Sequence, residues 1–279
     1  MDYQITDEGI KVFNKADFNP QHILECGQVF CYDKEGENYI SYPQDKVATI
    51  VEFEKFYLIK TENVEYFVDY FDLKTDYSTI KQRLSKFSIM EKPISFGGGI
   101  RILNQDLLET LVSFIISANN NIKRIKVILN NIRKGLGREI EKDIYSFPTY
   151  QQLKTADEEF FKQAGAGYRA KYLVKVLNQI TPHLLQEWKK LSTQELRSRL
   201  ISLSGVGPKV ADCVLLFGYH RGESFPVDTW IAKMYNAHFP PIENRNLMRE
   251  NLIKTFGVDL SGYAQQYLFY LAKEKGEKF

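Results

Sequence analysis

The spacing of apolar positions changes character once along this chain, near residue 97. Before that point, apolar residues fall in short runs rich in β-branched and aromatic side chains: Asn38–Tyr42, Val47–Glu52 and Phe56–Thr61. Turn-prone pieces, Asp33-Lys-Glu-Gly36 and Pro43-Gln-Asp45, punctuate them, which predicts an antiparallel sheet built from hairpins. Val64–Phe71 and Ser78–Phe87 carry helical spacing. Gly97-Gly98-Gly99 is the clearest break and predicts a domain junction. After it the pattern is helical almost throughout. Asp106 is placed to cap a helix whose Leu107, Leu108, Leu111, Val112 and Ile115 repeat on one face. Ile122–Leu136 reads as a basic amphipathic helix, and Ala170–Thr181, Leu184–Lys190, Asn246–Phe256 and Ser261–Lys275 complete the set. The expected fold is α+β: an N-terminal antiparallel β domain with flanking helices over residues 1–97, and a larger all-α domain over 98–279.

The most informative stretch is 193–228. Leu196 and Leu200 lie four apart in Thr193–Leu203, an amphipathic helix by pattern. Ser204-Gly205-Val206-Gly207 cannot continue it, because two glycines two apart favour a tight turn. Pro208 suits the first position of a second helix, where its missing N–H costs nothing. Helix, Gly-x-Gly hairpin, helix offers the unpaired amides around Gly205 and Gly207 to a phosphate. Lys209 then falls in the first turn of Lys209–Phe217, where the helix dipole and its apolar neighbours Val206 and Val210 disfavour an ammonium. A neutral lysine amine is a nucleophile. Taken alone, Lys209 reads equally as a surface lysine on a DNA phosphate, and Asp228 as a plain N-cap for the helix Thr229–Tyr235. Together they place a carboxylate within the reach of an amine.

The hairpin, Lys209 and Pro226-Val227-Asp228 resemble the helix-hairpin-helix, glycine/proline, aspartate superfamily of DNA glycosylases. Glu25-Cys-Gly-Gln-Val-Phe30, Ser117-Ala-Asn-Asn-Asn-Ile-Lys-Arg124 and Gly165-Ala-Gly-Tyr-Arg169 narrow the resemblance to 8-oxoguanine DNA glycosylases, in order and over nearly the whole chain. The resemblance implies that the β domain is like half of the TATA-binding protein. It also implies roles. Such an enzyme extrudes its base from the duplex, so Asn119 would fill the hole left behind. Arg124 and Arg169 would read the orphaned cytosine, with Tyr168 as the wedge beside it. The lesion carries a hydrogen on N7 where guanine has a lone pair, so one carbonyl acceptor distinguishes them; the resemblance assigns that carbonyl to Gly27. Gln265 would bond the Watson–Crick edge, and Cys213 and Phe269 would sandwich the ring. Lys209 would form a Schiff base at C1′, and Asp228 would stabilise positive charge at the sugar or help manage the proton. Trp230 departs from the pattern, standing where animal relatives carry a histidine near the lesion's phosphate.

The rest of the composition mainly removes options. The net charge of +2 is too small to argue nucleic-acid binding by itself. Three cysteines, Cys26, Cys31 and Cys213, argue against a disulfide framework and for a reducing compartment. The superfamily branch with an iron–sulfur cluster needs four cysteines near the C-terminus, and only Cys213 lies in that half. No cofactor or metal is expected. No segment has the apolar length of a membrane span and no secretory signal is visible, so a cytoplasmic, nucleoid-associated monomer acting on lesion-containing double-stranded DNA is the expectation. Two rival readings stay open: a monofunctional alkylated-base glycosylase, and a non-catalytic helix-hairpin-helix DNA-binding module.

Overall fold

The structure, a computed structural model, describes residues 2–276 and 278. Strands β1 (Tyr3–Thr6), β2 (Gly9–Val12), β3 (Tyr32–Glu35), β4 (Asn38–Ser41), β5 (Ala48–Glu52) and β6 (Tyr57–Lys60) form one antiparallel sheet in the order β1-β2-β6-β5-β4-β3. Its register aligns Ile10, Ile59, Ile50 and Tyr39 across four neighbouring strands. All four are buried, so this row fixes which face of the sheet is covered. Helices α1 (Pro20–Leu24) and α2 (Val64–Tyr70) supply the cover, through Ile23, Leu24, Phe67 and Val68.

The expected α+β architecture is present, with more strand than the apolar runs predicted. β1 and β2 are four residues each and turn tightly at Asp7-Glu8, too short for a clear alternation. β3 occupies Tyr-Asp-Lys-Glu, which reads as a turn. It is the edge strand, where one exposed side tolerates consecutive charges, and the real turn is confined to Gly36 (φ 60°) and Glu37.

The helices continue with α3 (Tyr77–Leu84), α4 (Glu91–Gly97), α5 (Leu107–Ser117), α6 (Ile122–Leu136), α7 (Tyr150–Thr155), α8 (Glu158–Gln163), α9 (Ala170–Gln179) and α10 (Pro182–Glu187). A small hairpin, β7 (Glu139–Glu141) with β8 (Ile144–Tyr145), follows α6. The chain closes with α11 (Thr193–Ile201), α12 (Pro208–Phe217), α13 (Thr229–His238), α14 (Arg245–Phe256) and α15 (Ser261–Lys275). α5, α6, α9, α11 and α12 enclose one apolar core. A further core joins Tyr77, Ile80, Leu84 and Met90 to Ile231, Met234, Leu252, Phe256, Tyr267 and Leu268, so α3 packs with the C-terminal helices.

The glycine triplet therefore serves close packing. Gly97 still belongs to α4, and a Cβ there would lie 2.8 Å from Ile100 and 3.2 Å from Tyr270. Gly99 accepts a bond from the Asn19 amide at 3.0 Å, and a Cβ on it would press into that same backbone.

Two buried arginines tie segments that flank the sheet to one another and to the helices. Arg101 is wholly buried and donates to the carbonyls of Phe71 (2.8 Å), Asp17 (3.1 Å), Thr75 (3.0 Å) and Asp72, with Tyr77 beneath its guanidinium. Arg133 pairs with Glu109 and donates to the carbonyls of Tyr42 (3.3 Å) and Tyr145 (2.9 Å). Glu109 in turn accepts from the Gln44 amide at 2.9 Å, and burial raises its carboxyl against the pull of Arg133. Arg133→Met should therefore lower unfolding stability by about 3–5 kcal/mol in urea titration, because it strands a buried carboxylate. Adding Glu109→Met should recover most of that loss. A single variant as stable as the native chain would show that the pair is not a fastening.

Candidate active site

The hairpin between α11 and α12 forms as its glycines predict. Gly205 takes φ 80°, and a Cβ there would meet Tyr172 at 2.6 Å, so glycine is required on both counts. Gly207 is different. It caps α12 in an ordinary extended conformation, is exposed, and has open space where a Cβ would stand. No side chain caps α12, so the amides of its first turn remain available to an anion.

α12 then presents Lys209 and Cys213 one turn apart, on the same face. Lys209 is half-buried, with Nζ 5.2 Å from the centre of the Phe114 ring. Phe114 is itself fixed between Phe217 (stacked, 5.5 Å) and Phe30 (edge-on, 5.8 Å). Cys213 is buried, and burial pushes its thiol up to about 11 despite the opposing charge of Lys209, so it presents a neutral, polarisable wall at neutral pH. Asp228 caps α13 by accepting from the Ile231 amide at 2.9 Å. Burial raises its carboxyl above the ordinary value, opposed by the Ile231 amide and by the charge of Lys209. The cap and the amine thus meet in one electrostatic neighbourhood.

α15 forms the opposite side. Gln265 and Phe269 lie four apart and share a face. Gln265 is buried; its Nε2 donates to the Pro226 carbonyl at 3.3 Å, while Oε1 has no partner among the described residues. Phe269 meets Gly27, where a Cβ would fall 3.0 Å from the ring and φ is 84°. Two further residues of α15 clamp this approach: Gln266 donates to the Cys26 carbonyl at 2.9 Å and Lys273 to that of Glu25 at 2.8 Å. Gln28 is completely buried as a staple, donating to the carbonyls of Ile23 (2.9 Å) and Arg101 (2.7 Å) and accepting from the Leu103 amide (2.9 Å). Gly27 thus touches Phe269, Gln265 of the same helix reaches the Pro226 carbonyl two residues before Asp228, and Asp228 lies within the electrostatic reach of Lys209.

The groups expected to meet the partner strand gather on a neighbouring ridge. Asn119 is exposed and left-handed (φ 50°), and Arg124 is exposed in the first turn of α6, its amide capped by Asn121 at 2.9 Å. Tyr168 is 53% exposed, which an ordinary core tyrosine would not be. Arg169 is the exception. Expected to face a base, it is buried and bonded to backbone carbonyls instead. Trp230 is half-buried in the first turn of α13, with the Lys233 ammonium 5.1 Å from its ring.

A model of the 8-oxoguanine DNA glycosylase N-terminal domain matches residues 11–111, and one of the HhH-GPD superfamily base excision DNA repair proteins matches 112–256. The chain belongs to the 8-oxoguanine DNA glycosylases of the HhH-GPD superfamily. Among solved structures, an 8-oxoguanine glycosylase/lyase from Clostridium acetobutylicum, in complex with double-stranded DNA containing cytosine opposite 8-oxoG, is 38% identical; the superposition covers 98% of each chain at a TM-score of 0.91. The N-glycosylase/DNA lyases of Saccharomyces cerevisiae and Arabidopsis thaliana are 36% and 35% identical over 54% and 61% of this chain. The chain matches about half the length of these two relatives, 45% and 51%.

Sequence pattern alone missed the supports of this family's site. Asp212 sits wholly buried beside Cys213, held by Arg197 (2.8 and 3.1 Å), Arg249 (3.0 Å) and Ser224. An aspartate inside an apolar helix is the one signal that pointed to it, since a buried carboxylate requires partners. Arg245, also unremarked, lies within electrostatic reach of Asp228 and lines a cavity of about 210 Å³ with Lys209, Asp212 and Arg249.

The raised carboxyl of Asp228 has a consequence for stability. A pKa above the unfolded value means that folding favours the protonated form; that contribution is complete below the unfolded value and is lost as pH rises through the folded one. Asp228→Asn, neutral and still a cap, should thus melt no lower than the native chain at neutral pH, with any gain shrinking toward acid. Asp228→Ala should lose about 1 kcal/mol through the cap. Thermal melts of both variants across pH check this, and an Asp228→Asn that melts well below Asp228→Ala would contradict it.

Proposed function

We propose that this chain is a bifunctional DNA glycosylase that excises 8-oxoguanine from duplex DNA, preferentially opposite cytosine, and cleaves the resulting abasic strand through a Lys209 Schiff base. The observation that carries the reading is the unpartnered, buried Oε1 of Gln265, whose side chain bonds the Pro226 carbonyl just ahead of Asp228, the carboxyl within electrostatic reach of Lys209. With Nε2 committed to the Pro226 carbonyl, Gln265 offers an acceptor to the site. The Watson–Crick edge of a guanine-type base supplies donors at N1 and N2; adenine supplies none at N1. The Gly27 carbonyl completes the selection by accepting the N7 hydrogen that the lesion has and guanine lacks. Cys213 and Phe269 close on the two faces of the ring.

In the reaction, the Lys209 amine bonds to C1′ while the glycosidic bond breaks and its electron pair leaves with the base. Asp228, as its carboxylate, stabilises the positive charge that develops at the sugar. The new ammonium gives up one proton, the C1′–O4′ bond breaks with its electron pair and a proton passing to O4′, and the nitrogen lone pair forms the protonated Schiff base. Loss of a C2′ proton then expels the 3′ phosphate by β-elimination. The first-turn amides of α12, with Gly205 and Gly207, hold the backbone meanwhile. Trp230 carries an indole N–H, a donor that suits a phosphate near the lesion. The division near residue 97 is a boundary in chain order, since α3 packs across it with the C-terminal helices. One site per chain supports action as a monomer on double-stranded DNA. No helix of the described residues is long and apolar enough to cross a membrane, which agrees with work at the nucleoid.

Borohydride reduction tests the chemistry. The native chain should form a covalent adduct with 8-oxoguanine duplex, and Lys209→Gln should lose both the adduct and base release while still binding lesion DNA. Base release without an adduct in the native chain would favour the alkylated-base reading, and binding without release the hairpin-module reading. Partner choice follows from Arg124. Cytosine's exposed edge accepts from a guanidinium, whereas adenine's amine opposes it, a difference of about 1–3 kcal/mol or roughly 5- to 150-fold. Single-turnover excision opposite each of the four bases should rank cytosine first, and Arg124→Ala should shrink that preference. Equal rates opposite all four would exclude partner reading.

A further inference from the structure

The guanidinium of Arg169 already has four of its five donors engaged in the DNA-free chain. It is 4% exposed. Nε donates to the Ala118 carbonyl at 2.9 Å, Nη2 to the carbonyls of Ala118 and of Asn119 (2.9 Å), and Nη1 to that of Ala166 at 3.4 Å. These four bonds use four of the five N–H donors that the group possesses. Tyr168 joins the same knot, its ring 4.4 Å from the guanidinium carbon and its hydroxyl 3.4 Å from the Ala118 carbonyl. The segment so held is the one that bears Asn119, at the end of α5, where the backbone turns left-handed at φ 50°. Arg169 leads directly from a turn containing Gly165 (φ 100°) and Gly167 (φ 59°) into α9.

An arginine in this state cannot offer a two-pronged contact to a base without first giving up a carbonyl. The carbonyls in question belong to the residue that must enter the duplex and to its neighbour. We propose that Arg169 is a positioning residue that couples recognition of the partner base to placement of Asn119. While its donors rest on Ala118 and Asn119, the Asn119 segment is held on the protein surface. A partner base that presents acceptors, as cytosine does, draws donors away from those carbonyls and frees the segment to advance into the vacated space. Adenine, with an amine at the corresponding edge, leaves Arg169 on the carbonyls and Asn119 withdrawn. Selectivity is then expressed in the insertion step and not only in binding. The inference rests on the excision reading above; it adds that the two residues act as one unit.

A double-mutant cycle tests it, because residues that act together are non-additive and independent ones multiply. Single-turnover excision opposite cytosine and opposite adenine is measured for the native chain, Arg169→Ala, Asn119→Ala and the double variant. Fluorescence of a 2-aminopurine placed next to the lesion reports extrusion and filling of the hole in the same reactions. Loss of a charge-assisted contact corresponds to about 10- to 100-fold, so Arg169→Ala should lower the cytosine-to-adenine rate ratio by roughly that factor in the native background. In the Asn119→Ala background the same substitution should leave the ratio within about 2-fold, as expected for a shared step. An equal drop in both backgrounds would overturn the coupling and make Arg169 an independent reader. An unchanged ratio in the native background would reduce it to a structural fastener. Arg169→Lys, which retains the charge and part of the hydrogen bonding, repeats the cycle if Arg169→Ala melts early. Borohydride trapping by the native chain is the parallel control: its absence would remove the excision reading itself, whereas additivity with trapping intact removes only the coupling.

Discussion

The site depends on the approach of the Gly27 backbone to the ring of Phe269. A Cβ at Gly27 would lie 3.0 Å from that ring, and the backbone angle there is one that side chains rarely adopt. The contact is held from one helix: α15 carries Phe269 and Gln265 and, through Gln266 and Lys273, grips the carbonyls of Cys26 and Glu25, the two residues leading to Gly27. Gln28, buried and bonded on both its oxygen and nitrogen, ties the loop to Ile23 of α1 and to Arg101 and Leu103 ahead of α5. The carbonyl proposed to detect one hydrogen on a base needs this rigidity, because hydrogen-bond energy falls steeply with misalignment.

The opposite wall is governed by charge. α12 carries a nucleophile candidate, a buried carboxylate and a thiol within one turn and a half. Asp212 is neutralised from outside the site, by Arg197 of α11 and Arg249 of α14. Asp228 is left as the carboxylate facing Lys209, its charge disfavoured by burial and favoured by the Ile231 amide and the lysine. The two acids are thereby set apart by their partners: Asp212 fastens three helices through its arginines, and Asp228 is the one proposed to serve the sugar.

Much of this was legible in the chain, for a physical reason. A glycine hairpin followed by proline, an aspartate before a helix, and apolar residues at helical spacing are local signals, and local geometry decides them. Gly205 and Asp228 behave as their neighbours in sequence predict. What escaped was set by tertiary context. Asp33-Lys-Glu-Gly36 looks like a turn until most of it is seen in an edge strand, and the break at Gly97-Gly98-Gly99 does not tell that Tyr270 and Asn19 press against it. Arg169 reads as a free guanidinium because nothing nearby in sequence says that the carbonyls of Ala118 and Asn119, about fifty residues earlier, will claim its donors. Arg197 and Arg249 were silent for the same reason.

The central claim is that a glycine-bared carbonyl separates the lesion from guanine by one hydrogen on N7. It is tested most directly by comparing binding of Lys209→Gln protein to duplexes carrying 8-oxoguanine or 8-bromoguanine opposite cytosine. Both bases bear a substituent at C8 and share the same Watson–Crick edge, but the brominated base keeps a lone pair on N7. The account predicts tighter binding to 8-oxoguanine by about 1–3 kcal/mol, the worth of a buried bond exchanged for a repulsion. Equal affinity for the two would contradict it and place lesion recognition elsewhere in the site.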